Sequence, residues 1–171
     1  MNLVVDNADP RYCFHIDLLK VKEEFESRST IPVKLVNMGT EKSVSEGRNI
    51  GTLHMDPKSK FICFIDDDAR ILGRYNQTTD WIDYLYNRFH EELDVGAVSP
   101  IYTYYEPLQT RCISVACMFT SLKVWNKVGR FDPVFGNKKK GTWGYEDTDW
   151  SYRCLSTGFK LLGVKGGEFP F

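Results

Sequence analysis

Three consecutive carboxylates, Asp66, Asp67 and Asp68, follow a run in which every residue is apolar, Phe61-Ile62-Cys63-Phe64-Ile65. Neighbouring carboxylates repel one another, and none can be buried without compensation. Ligands of open α/β sheets bind beyond the carboxyl ends of strands, so a cation is expected at this position. Hard oxygen donors suit Mg²⁺ or Mn²⁺, ions that commonly bridge to substrate phosphates. Side chains alternate along extended backbone, so Asp66 and Asp68 face one way and Asp67 the other. Asp66 and Asp68 are therefore the better metal pair. A solvated, aspartate-rich turn is the competing reading.

A second acidic cluster, Glu146, Asp147 and Asp149, lies between Trp143 and Arg153. Acidic residues in the first turn of a helix are favoured by its dipole. Asp149 and Arg153 are spaced to pair on one helix face, which accounts for both without any function. The preceding segment, Gly136-Asn137-Lys138-Lys139-Lys140-Gly141-Thr142-Trp143-Gly144, is polar and glycine-punctuated, the pattern of a mobile loop. A mobile loop leading to paired carboxylates suits an active site that closes over its substrate, with one carboxylate as general base. The three lysines read as a solvated run, or as a contact for an acidic acceptor or phosphate.

These residues sit on a chain of 171 residues, the size of one domain. Net charge is −1 and the pI is near 6.3, unlike a basic nucleic-acid-binding domain. No apolar stretch approaches the roughly 20 residues that cross a bilayer. The start, MNLVVDNADP, has neither the charged region nor the apolar run of a signal peptide. Five cysteines without a CxxC pair argue against a disulfide framework or zinc ribbon and read as reduced, mostly buried thiols. The cytoplasm is the expected compartment, with a lost N-terminal anchor the alternative. Aromatic residues make up 14%, which serves a core first and leaves room for a ligand surface built from rings.

Apolar periodicity predicts the elements that would hold the acidic clusters. Strands are expected at 3–5, 33–36, 61–65, 95–98, 113–119 and 160–164, and helices at 15–27, 45–55, 80–93, 121–128 and 147–156. Strand 61–65 is apolar on every residue, as in a parallel sheet covered on both faces. Alternating strands and helices imply an α/β fold with a mostly parallel central sheet. Gly47 costs roughly 1 kcal/mol against alanine inside a helix, which either helix packing or close ligand approach would justify.

The two acidic clusters together resemble those of the family 2 glycosyltransferases of the GT-A fold, and more loosely the related galactosyltransferases. Leu3-Val4-Val5-Asp6-Asn7 resembles the strand whose final Asp contacts the nucleobase. Ser45-Glu46-Gly47-Arg48-Asn49-Ile50-Gly51 resembles the family's A-R-N-x-G helix, whose Arg lies near the nucleotide. Phe64-Ile65-Asp66-Asp67-Asp68 resembles the DxD strand, and Trp143-Gly144-Tyr145-Glu146-Asp147 with Arg153 resembles the W-G-x-E-D acceptor motif. The pieces stand in the family's order over nearly the whole chain.

The resemblance implies one GT-A domain over residues 1–171, a Rossmann-like three-layer α/β sandwich open to truncation at both ends. It implies transfer of a sugar from a nucleotide-diphosphate sugar, UDP-linked, to a glycan or other hydroxyl acceptor with inversion. Asp147 is then the catalytic base, and Glu146, Trp143 and Tyr145 bind the acceptor. Asp6, Arg48, Asp66 and Asp67 bind the donor, and Asp66 and Asp68 hold Mn²⁺ or Mg²⁺. Two departures stand out: family members begin with a further strand, and often carry a late histidine ligand, whereas His15, His54 and His90 all precede the second cluster. A degenerate or fragmentary transferase acting as a carbohydrate-binding or interaction domain is therefore the alternative. A sugar nucleotidyltransferase would need a glycine-rich basic loop near the start, which is missing. A plain carbohydrate-binding module would need the rings but not two acidic clusters.

Overall fold

The structure, a computed structural model, describes residues 2–6, 19–20, 22–24, 26–27, 33–38, 42–66, 81–101, 112–136, 141–142 and 144–165, with backbone alone at 2–6, 37, 101 and 165. The chain divides into two units, Met1–Ser59 with Phe131–Glu146, and Lys60–Arg130 with Asp147–Phe171.

In the first unit, β1 (Asn2–Asp6) and β2 (Val33–Asn37) pair in parallel, with Asp6 opposite Asn37. Described residues from 19 to 27 are helical, within the helix expected there. Helix α1 (Val44–Leu53) packs on β1. Its start is a full capping box: Ser43 Oγ accepts from Glu46 N–H, and the Glu46 carboxylate accepts from Ser43 N–H. Gly47 is buried within it.

The second unit is a four-stranded sheet in the order β3 (Phe61–Ile65), β5 (Cys117–Ser121), β4 (Val95–Ile101), β6 (Lys160–Lys165). β4 and β6 are parallel, whereas β5 runs against both β3 and β4. Three strands thus share one direction and β5 is reversed. An apolar run reports burial but not the direction of its partner, so the parallel neighbour expected for β3 is instead antiparallel β5. Ile65, at the end of β3, is 44% exposed.

Helix α2 (Trp81–His90) packs on β4 and β5, with Leu85 fully buried and Trp81 and Phe89 against the same cluster. It stops at His90, short of the predicted 93. Helix α3 (Leu122–Val128) is capped by Ser121, as its sequence predicts. Helix α4 (Glu146–Ser156) buries Trp150, whose ring stacks on Trp125 and whose Nε1–H donates to Gly129 O.

β5 begins four residues later than position 113. Ala116 N–H donates to Ser114 Oγ, and the Ser114 carbonyl accepts from Ser99 Oγ, so a serine turn takes the backbone groups that a ladder would use. Arg153 pairs with Asp149 as its spacing predicts, and also donates to the carbonyls of Val128 and Arg130. Of the four described cysteines, all free thiols, Cys112 is exposed, which corrects the expectation of mostly buried thiols at that position. Burial pushes the Cys154 thiol up to about 12, which keeps it neutral.

Candidate active site

Asp66 follows β3 directly, and its N–H donates to Ala116 O at 2.9 Å, which extends the β3–β5 ladder to the first acidic residue. One step back lies a thiol pair. Cys63 and Cys117 sit on the same face of adjacent strands and share a hydrogen bond that lowers the Cys117 thiol and raises that of Cys63; the Asp66 charge acts on Cys117 in the opposite sense. Asp67 and Asp68 lie outside the described residues, as does Trp143. Among the described residues no three His, Cys, Asp or Glu side chains come together to hold a metal. The donor set itself, carboxylate oxygens at a strand end, fits a hard divalent cation.

Asp6 is the last residue of β1. Arg48 lies on α1, and its Nη1 donates to Glu146 Oε1 at 2.8 Å. The two side chains are 13% and 11% exposed. The guanidinium also lies over the Phe131 ring, 5.9 Å from its centroid. Asn49, the next residue, holds the Phe131 backbone: Nδ2–H donates to Phe131 O at 2.8 Å, and Phe131 N–H donates to Oδ1 at 3.0 Å. Helix α1 therefore holds the 131–136 segment through backbone bonds that no sequence pattern marks.

Glu146 and Asp147 open α4. Glu146 is buried, and its Oε2 has no hydrogen-bond partner. The Asp147 carboxylate is half-buried, and its Oδ1 accepts from Thr148 N–H at 2.7 Å and Thr148 Oγ1 at 3.3 Å. The start of α4 is further held by Cys112 Sγ near Thr148 Oγ1 and by Ile113 N–H donating to Ser151 Oγ.

Gly136, read from sequence as loop punctuation, has φ +68 and is wedged beside this carboxylate. A Cβ there would stand 3.2 Å from Ser45 Oγ and 3.4 Å from Glu146 Oε2. Its N–H donates to Gly144 O, and its carbonyl accepts from Val44 N–H. Positive φ and close approach together require glycine.

Tyr145 stands immediately before α4 with φ +68 and is 64% exposed. Left-handed backbone costs a non-glycine residue about 1–2 kcal/mol. Burial of the ring does not offset that cost. Tyr145→Gly is expected to stabilise the fold by about 1 kcal/mol. A thermal midpoint that falls would show that the exposed ring packs after all.

No protein-family model and no curated protein sequence matches the chain. Solved structures do. A mannosyltransferase from Pyrobaculum calidifontis, in complex with GDP-Man and Mn²⁺, superposes with a TM-score of 0.70 over 95% of this chain, at 16% identity. GalNAc-T7 with UDP, GalNAc and Mn²⁺ does so with a TM-score of 0.70 over 95%, at 13% identity. The fold is GT-A. The chain spans 45% of the first structure and 35% of the second. Within this GT-A fold, Asp66 directly follows β3 and Asp147 sits in the first turn of α4. No helix among the described residues is long and apolar enough to cross a membrane.

Proposed function

We propose that this chain, as one GT-A domain, transfers a glycosyl group from a nucleotide-diphosphate sugar to a hydroxyl acceptor with inversion. The observation that carries the reading is the GT-A fold with an acidic segment at the end of β3 and a second at the start of α4. Asp6, Asp66 and Asp67 are assigned to the donor, and Glu146, Trp143 and Tyr145 to the acceptor; the motif resemblance alone would add Arg48 to the donor side. UDP follows from the motif resemblance. The two similar structures hold GDP-Man and UDP, so both nucleotides belong in the test.

Asp66 and Asp68 would hold Mn²⁺ or Mg²⁺, which when bound would carry charge from the diphosphate. Mn²⁺ is expected to strengthen nucleotide-diphosphate binding, and Asp68→Ala to remove that gain. Calorimetry giving equal affinity with a chelator present would overturn this assignment.

Asp147 is the base. The bonds from Thr148 orient its carboxylate through Oδ1, and Oδ2, which those bonds do not use, takes the acceptor proton. The acceptor oxygen then attacks the anomeric carbon as the diphosphate departs. Inversion follows from one base on the acceptor side, with no motif for a nucleophile beneath the sugar. Incubation with UDP- and GDP-linked sugars and glycoside acceptors, followed by detection of free nucleotide, tests the reading. Proton NMR of the first product from an α-linked donor should give a β-anomeric coupling. An α product removes Asp147 from the role of base, and nucleotide binding without release leaves a degenerate, binding-only domain.

A further inference from the structure

The Arg48–Glu146 pair joins residues 98 apart in sequence, and both side chains are close to nine-tenths buried. A guanidinium fork can hold both oxygens of a carboxylate. Here Oε1 accepts from Nη1 at 2.8 Å, while Oε2 is buried and has no hydrogen-bond partner. A buried carboxylate oxygen left unsatisfied is costly, so its persistence points to a ligand that completes it. A carboxylate only accepts hydrogen bonds, so that ligand presents a donor such as a hydroxyl. The wall beside Oε2 is Gly136, where even a Cβ would come within 3.4 Å.

Arg48 itself is held in place. Its helix starts from the Ser43–Glu46 capping box, its neighbour Asn49 grips both backbone groups of Phe131, and its own guanidinium lies over that ring. We propose that Arg48 is a positioning residue: it aims Glu146 so that Oε2 receives a hydroxyl of the acceptor. It therefore acts on the acceptor side of the reaction and not on the nucleotide, which the motif resemblance alone had implied. This rests on the acceptor role proposed above for Glu146.

The test compares wild type, Arg48→Gln, Arg48→Lys, Glu146→Gln and the Arg48→Gln/Glu146→Gln double variant. UDP and GDP binding is measured by calorimetry, and transfer to p-nitrophenyl glycosides by steady-state kinetics. Arg48→Gln should leave nucleotide affinity unchanged and raise the acceptor KM by about tenfold. Arg48→Lys, which keeps the charge, should recover part of that loss. The double variant should be no worse than Glu146→Gln, because both act through one carboxylate. Weaker nucleotide binding in either Arg48 variant, or effects that multiply in the double variant, would overturn the proposal. So would a wild type that binds nucleotide but transfers to no glycoside. A wild type that binds neither nucleotide would instead sink the transferase reading itself.

Discussion

Asp147→Asn is expected to lower turnover by a factor on the order of 10² or more while nucleotide-sugar affinity stays nearly intact. Proton removal contributes in the transition state and not to donor binding, so kcat falls and the donor dissociation constant does not. Asparagine keeps an Oδ1, so the bonds from Thr148 N–H and Oγ1 survive and the first turn of α4 is preserved. The lost charge at a helix N-terminus costs only about 0.3–1 kcal/mol of stability. The expected loss of transition-state stabilisation is about 2.7 kcal/mol or more, so chemistry and not unfolding decides the result. Single-turnover kinetics beside donor calorimetry checks it. Normal turnover in the variant would transfer the role of base to Glu146 or Asp149.

The largest expected effect on stability is at Gly96. An alanine Cβ there would stand 2.3 Å from Cys154 Sγ, 2.8 Å from Phe159 Cβ and 3.3 Å from Lys160 O. Cys154 is fully buried on α4, and the Phe159 Cβ is fixed to backbone, so neither can swing away. Gly96 also sits where the β4–β6 register slips between Val95 and Ala97, the place of a bulge, and its carbonyl accepts from Thr120 Oγ1. Gly96→Ala should therefore cost about 3 kcal/mol, the upper end of ordinary overpacking. Denaturant titration checks this, and adding Cys154→Ala should return part of the loss by removing the sulfur. A midpoint unchanged in Gly96→Ala would show that α4 does not approach β4 so closely.

Several elements were legible for local reasons. β3 matches its predicted bounds residue for residue, because Lys60 and Asp66 end an unbroken apolar run. The spacing of Trp81, Leu85 and Phe89 placed the buried face of α2 correctly. Apolar periodicity starts α1 at 45, whereas a local signal points earlier: Ser43-Val44-Ser45-Glu46 spells the capping box that the structure uses. Apolar patterning carries β5 too far upstream, because Ile113 and Val115 are apolar and buried yet lie outside the strand. Burial and strand are different properties, and apolar patterning reports the first.

The acidic residues, the segments that carry them and the α/β alternation were written in the sequence, because each depends on residue type and on spacing within one turn or one strand. The reversed direction of β5, the grip of Asn49 on Phe131 and the ion pair of Arg48 with Glu146 were decided only by the tertiary structure. The last two join residues 82 and 98 apart. At such separations local periodicity carries no information about partners. Which carboxylate becomes an anchored, half-satisfied acceptor depends on what the folded chain packs beside it.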